Sequence, residues 1–178
     1  LERWVAARKL RPVHLIHDLI PITHPQFCRA GEDERHRHRM RTALRTASGI
    51  VANSAHTLAS LRGFAEDERL TMPPAAVAWP GTPVLPRVPP RSGAETDFVA
   101  LGTIEGRKNH ALLLSVWRDL IRERARAAVP RLIIVGRRGW QAGAVFAQLD
   151  SGAFGDRVIE TGPLDDRRLA EVLAGGRA

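Results

Sequence analysis

Residues 98–117 read FVALGTIEGRKNHALLLSVW, an apolar strand that runs into a glycine, a short polar loop, an Arg-Lys pair and an amphipathic helix. Strand 97–101 ends at Gly102. The segment behind it places Leu113, Val116, Trp117, Leu120 and Ile121 at the i, i+3, i+4, i+7, i+8 spacing of a core-facing helix. Arg107 and Lys108 then fall at the helix N-terminus, where free N–H groups and the helix dipole already favour an anion. The dipole disfavours cations there, so two of them need a reason, and a diphosphate supplies one.

Working outward, strands and helices alternate along the whole chain, which predicts parallel sheets. Strands are expected at 13–17, 50–52 and 75–79, with helices over 34–47 and 54–63, the second capped by Ser54. Pro80, Pro83, Pro86, Pro89 and Pro90, with Gly81 and Gly93, then make 80–95 a linker. Beyond it come strands at 131–135 and 157–160 and helices over 109–126, 141–149 and 165–174. The expected fold class is α/β, with two partial Rossmann-like domains, 1–79 and 96–178, joined by that linker. Gly102, Gly136 and Gly162 each follow a strand, where the carboxyl ends of a doubly wound sheet form its ligand crevice.

Gly-Thr-Ile-Glu-Gly-Arg-Lys-Asn at 102–109 resembles the Gly-Thr-x-Glu-Pro-Arg-Lys-Asn signature of retaining glycosyltransferases of family 4, enzymes of GT-B architecture. Gly106 stands where that signature has proline, a change that loosens the loop and removes no ligand group. The order of further segments matches too. His17-Asp18-Leu19-Ile20-Pro21 resembles an acceptor-domain segment and Ile50 to Ser54 its next strand. Leu132 to Trp140 resembles the second donor-domain strand and loop, and Arg157 to Gly162 with Leu164 to Leu173 the strand and helix that follow.

The resemblance implies transfer of a hexose, mannose being common in this branch, from a nucleoside-diphosphate sugar to a glycan or lipid-linked sugar, with retention of configuration. It implies that Gly102, Thr103, Arg107 and Lys108 hold the donor, and that the Arg-Lys pair neutralises the diphosphate leaving group. Gly136 and Arg137, with Arg138, are expected to shape the nucleotide pocket. His17 and Asp18 are the acceptor-side candidates, since a carboxylate beside an imidazole at a strand end can orient or deprotonate a hydroxyl. The competing reading makes Asp18 a turn residue and packs His17 in the sheet. Thr23, His24 and Pro25 follow in a loop that could reach the acceptor.

In the family the helix at 164–173 precedes a strand and an acidic loop with two carboxylates, whereas this sequence ends at Ala178 and starts at Leu1. The expectation is therefore a fragment of a longer enzyme, inactive alone. No metal site and no cofactor beyond the donor substrate are expected, and Cys28 is the single cysteine.

Of 27 basic residues only Lys9 and Lys108 are lysines, and the formal net charge is +8. Such a surface favours anionic partners: nucleotide sugars, lipid diphosphates or an anionic membrane face. The run 34–41 (ERHRHRMR) is expected to form a solvated basic stripe with Arg37, Arg41 and Arg45, and a peripheral membrane contact is its bolder reading. Nucleic acid is disfavoured because tyrosine is absent and Trp117 lies on the buried stripe. With no apolar run near ~20 residues and no signal-peptide pattern, the expected location is cytoplasmic. The loop lacks the spacing of a Walker motif or a dinucleotide fingerprint. The surviving alternatives are a sugar-nucleotide epimerase of the same architecture and a non-catalytic basic binding module.

Overall fold

A computed structural model describes residues 2–89 and 97–177. The chain divides into two compact units, Leu1–Thr82 and Pro83–Ala178, each an α/β unit with an all-parallel sheet.

The first unit holds α1 (Glu2–Ala7), β1 (Val13–Ile16), α2 (Ile20–Thr23), α3 (Glu32–Thr46), β2 (Gly49–Ala52), α4 (Ala55–Asp67) and β3 (Ala75–Val77). The strands lie in the order β1-β2-β3, and Ile16 and Ile50 pack with Met40, Leu44, Leu61 and Phe64 of α3 and α4. Ser54 caps α4: its hydroxyl oxygen accepts from the Thr57 N–H at 3.0 Å. Replacing Ser54 with alanine is expected to destabilise this unit by about 1 kcal/mol, read as a lower urea midpoint.

The basic run of α3 is solvated and also ion-paired. Arg41 grips Glu68 through two hydrogen bonds of 2.8 and 2.9 Å and also reaches Glu34, while Arg35 and Arg39 pair with Glu32. The stripe is thus an ion-paired surface, and Arg41 holds the Glu68 carboxyl below the usual carboxylate range, chiefly by hydrogen bonding. Arg35 meets Glu32 at the i, i+3 spacing of one helical face, whereas Arg39 and Arg41 reach acids seven residues back and Arg41 reaches Glu68, 27 residues away, which that spacing does not connect.

The second unit contains β4 (Asp97–Leu101), α5 (His110–Glu123), β5 (Arg131–Val135), α6 (Gly143–Asp150), β6 (Val158–Gly162), α7 (Asp166–Ala174) and the two-residue β7 (Gly176–Arg177). The sheet order is β6-β5-β4-β7. Residues 80–89 form no regular element, and 90–95 of the expected linker lie outside the described residues. Leu114, Leu132, Ile134 and Val129 are almost fully buried, and each such side chain contributes about 1.5–3 kcal/mol through lost water contact.

The α5 stripe is rotated slightly from the sequence reading. His110, Leu114 and Trp117 are buried, Leu113, Leu120 and Ile121 are partly buried, and Val116 is 42% exposed. Trp117 meets Phe98 edge to face, with ring centroids 5.6 Å apart, and its indole N–H donates to the Pro130 carbonyl at 2.8 Å. A buried indole needs such a partner.

Candidate functional site

The carboxyl ends of β4, β5 and β6 are laced together by backbone. The Gly102 N–H donates to the Val135 carbonyl at 2.8 Å, and the Gly136 N–H donates to Gly162 at 3.0 Å. Pairing continues past the strands, from the Ile104 N–H to Arg137 and from the Gly139 N–H back to Ile104. Ile104 is fully buried and pins this loop to the core.

Glycine is required at two of these points. Gly102 has φ +134° and Gly136 φ +154°, a region that side chains disfavour. A Cβ on Gly136 would strike the Gly102 carbonyl oxygen, and one on Gly102 would occupy the place of the Lys108 ammonium. The Gly136→Ala protein is expected to lose about 2 kcal/mol or more from backbone strain alone, with the collision added; a urea midpoint equal to wild type would contradict this.

Gly106 also has a local reason. Its N–H donates to the Trp140 carbonyl at 3.4 Å, and a Cβ there would lie 2.9 Å from the Gln141 carbonyl oxygen. Proline would lose the hydrogen bond and meet that oxygen, so the residue that departs from the signature fits this loop pair.

Arg107 and Lys108 differ in placement from the sequence expectation. They occupy a 3-10 turn, Gly106–Lys108, and Asn109 at φ +51° separates that turn from α5, so neither lies in the helix's first turn. This removes much of the dipole's objection to their charge. Arg107 pairs with Glu105 at 2.7 Å, whereas Lys108 folds back over Gly102 at the end of β4. Lys108 is therefore the cation that lies over the end of β4. Thr103 is exposed beside it, its methyl facing Gly139.

After β5 the two arginines diverge. Arg137 is exposed, with no ion pair among the described residues. Arg138 binds Asp150 and Glu160 through hydrogen bonds of 2.6 to 3.2 Å and lies over the Phe146 ring at 5.1 Å. Those bonds raise the guanidinium's proton affinity and lower that of Asp150. Arg138 thus ties α6 to β6 and is engaged in supporting the loop.

The sequence reading passed over His110. It is 4% exposed at the start of α5, and its Nδ1 has no hydrogen-bond partner. A histidine four residues before Leu114 and seven before Trp117, on the apolar stripe, was the available signal.

In the first unit, His17 and Asp18 follow β1 and both are exposed, so His17 does not pack in the sheet. Asp18 Oδ1 accepts from the Ile20 N–H at 3.1 Å, the expected turn bond, and the Asp18 carbonyl lies 3.1 Å from His36 Nε2. Both residues line a shallow depression of 200 Å³ with Leu15, Ile16, His36 and Met40. Nearby, Thr23 Oγ1 is 2.8 Å from His24 Nδ1, and His24 stacks on Phe27.

A cleft of 810 Å³ in the second unit runs along α7 and is bordered by Arg87, Val88, Leu164, Arg167 and Arg168; none of the candidate residues lines it. No set of three or more metal-ligating side chains occurs among the described residues, and none of their helices is long and apolar enough to cross a membrane.

No protein-family model matches the chain, and no curated protein matches it. Solved structures do. The chain is similar to TarM with a TM-score of 0.62 at 10% identity, over 90% of this chain and 30% of that one. It is similar to HepE of Anabaena, solved in complex with UDP and glucose, with a TM-score of 0.60 at 14% identity, over 97% of this chain and 46% of that one. The chain thus spans less than half the length of either structure. At these identities the likeness shows the fold: an α/β protein with two partial Rossmann-like units of GT-B type.

Proposed function

We propose that the chain is part of a nucleotide-sugar-dependent glycosyltransferase whose second unit binds the donor. The observation that carries this reading is the Lys108 ammonium, which lies over Gly102 at the carboxyl end of β4 in a loop zipped to Gly136. A cation lying beside backbone at the strand end can neutralise the charge that develops on a departing nucleoside diphosphate. The UDP and glucose bound to HepE, a protein of similar fold, are ligands of the same class.

In this reading Gly102, Thr103, Lys108, Gly136 and Arg137 contact the donor, while Arg107 reaches it only by sharing itself with Glu105. The transferred group is a hexose, mannose or glucose, passed with retention to a glycan or lipid-linked hydroxyl. His17 and Asp18 then serve the acceptor, Asp18 using the Oδ2 that its turn bond to Ile20 leaves over. We place the reaction in the cytoplasm. The ion pairing of the α3 arginines weakens the case for a membrane contact on that helix.

The test is calorimetric titration of the chain with UDP-glucose and with GDP-mannose. Saturable binding of one of them supports the reading, and heats of dilution for both would remove it.

A further inference from the structure

Resting on that reading of Lys108, we propose that His110 is a positioning residue that couples anion binding at the Lys108 loop to uptake of a proton. His110 opens α5, two residues after Lys108, and is 4% exposed with its Nδ1 unpartnered. A buried ring nitrogen without a partner is costly in either protonation state, and more so when charged.

Two causes lower the proton affinity of the ring. Burial lowers its proton affinity first, and the charge of Lys108 lowers it further; Glu105 acts in the opposite direction. Lys108 and Glu105 are the charged groups that act on it among the described residues, and Glu105 is already engaged by Arg107. The folded value lies below the unfolded one, so stability is unaffected by this titration above the unfolded pKa of His110 and is lost as pH falls from there through the folded one.

An anion seated on Lys108 cancels the second cause. The imidazole then gains proton affinity, and by reciprocity a proton on His110 strengthens anion binding by the same factor. Burial is untouched by the anion and limits the effect. We expect binding to tighten as the pH falls through the range in which the ring titrates, by up to roughly fivefold, the low end of the range for linked sites. The step moves one proton from solvent to the ring and changes no covalent bond of the ligand.

The test has two arms. In the ligand-free chain, the His110 ring resonance is titrated by NMR in wild type and in Lys108→Met. In the second arm UDP-glucose, whose phosphates do not titrate in this range, is bound at pH 5.5 and 7.5 to wild type and to His110→Gln. The proposal expects a higher ring pKa in Lys108→Met. It also expects proton uptake on binding to wild type and pH-independent binding to His110→Gln at an affinity near that of wild type at pH 7.5.

An unchanged ring titration in Lys108→Met overturns the coupling itself. A raised ring pKa with no UDP-glucose binding overturns the donor reading on which the anion step rests. Binding without proton uptake overturns the role of His110 and leaves the donor reading standing.

Discussion

Exchanging Lys108 for alanine is expected to weaken nucleotide-sugar binding about ten- to a hundredfold, the loss of one hydrogen-bonded charge contact worth about 1.5–3 kcal/mol. Lys108 is exposed, so the variant should fold as wild type does. Its melting temperature is the control that separates loss of a ligand contact from loss of structure. Arg107→Ala should cost less, because Arg107 is already paired with Glu105 at 2.7 Å. The ordering of these two variants checks the geometry as well as the charge. Equal losses would mean that the Glu105 pair opens on binding, and unchanged affinity in Lys108→Ala would remove Lys108 from the site.

The largest stability effect is expected at the opposite end of β4. Asp97 is 1% exposed and takes a two-pronged grip from Arg131 of β5, with bonds of 2.7 and 2.9 Å. Breaking a buried ion pair by removing one member costs about 3–5 kcal/mol, and here Asp97 is the fully buried member while Arg131 is 22% exposed. Asp97→Ala should therefore lose about 3 kcal/mol, a fall in Tm of about 10 °C or more for a unit of this size. The double variant Asp97→Leu with Arg131→Met should recover much of that loss, since a buried ion pair is often replaceable by apolar side chains. A single variant within about 1 kcal/mol of wild type, near the worth of an exposed pair, would show that the interaction is effectively solvated.

These predictions fall at different distances from what the sequence makes legible. Alternation of apolar runs, with Gly102, Gly136 and Gly162 after them, made the parallel sheets readable, because strand period and glycine position are local properties. Ser54 was readable as a cap for the same reason. The six-residue α1 is too short to show a helical period. The exposure of Val116 in place of Leu114 reflects a small rotation of α5, which packing against β4 and β5 decides.

Pairings across the fold were the hidden part. Asp97 and Arg131 lie 34 residues apart, and Arg138 meets Glu160 at a separation of 22. No spacing rule connects such residues until the strands are side by side. At the candidate site, the grouping of Gly102, Lys108 and Gly136 was legible because one loop and one strand end bring them together. The pairing of Arg107 with Glu105 was within reach of inspection, but it depends on the 3-10 turn that precedes Asn109. His110 was hidden by its type: on an apolar stripe a histidine reads as core, and only the orphaned Nδ1 marks it as more.

The central claim is that the loops after β4 and β5 form the donor site. Amide NMR shifts followed through a UDP-glucose titration, with GDP-mannose in parallel, test it most directly. The account predicts saturable changes concentrated at Gly102, Thr103, Lys108, Gly136 and Arg137. Changes confined to the α7 cleft around Arg87, Leu164 and Arg168, or no saturable change with either sugar nucleotide, would contradict it.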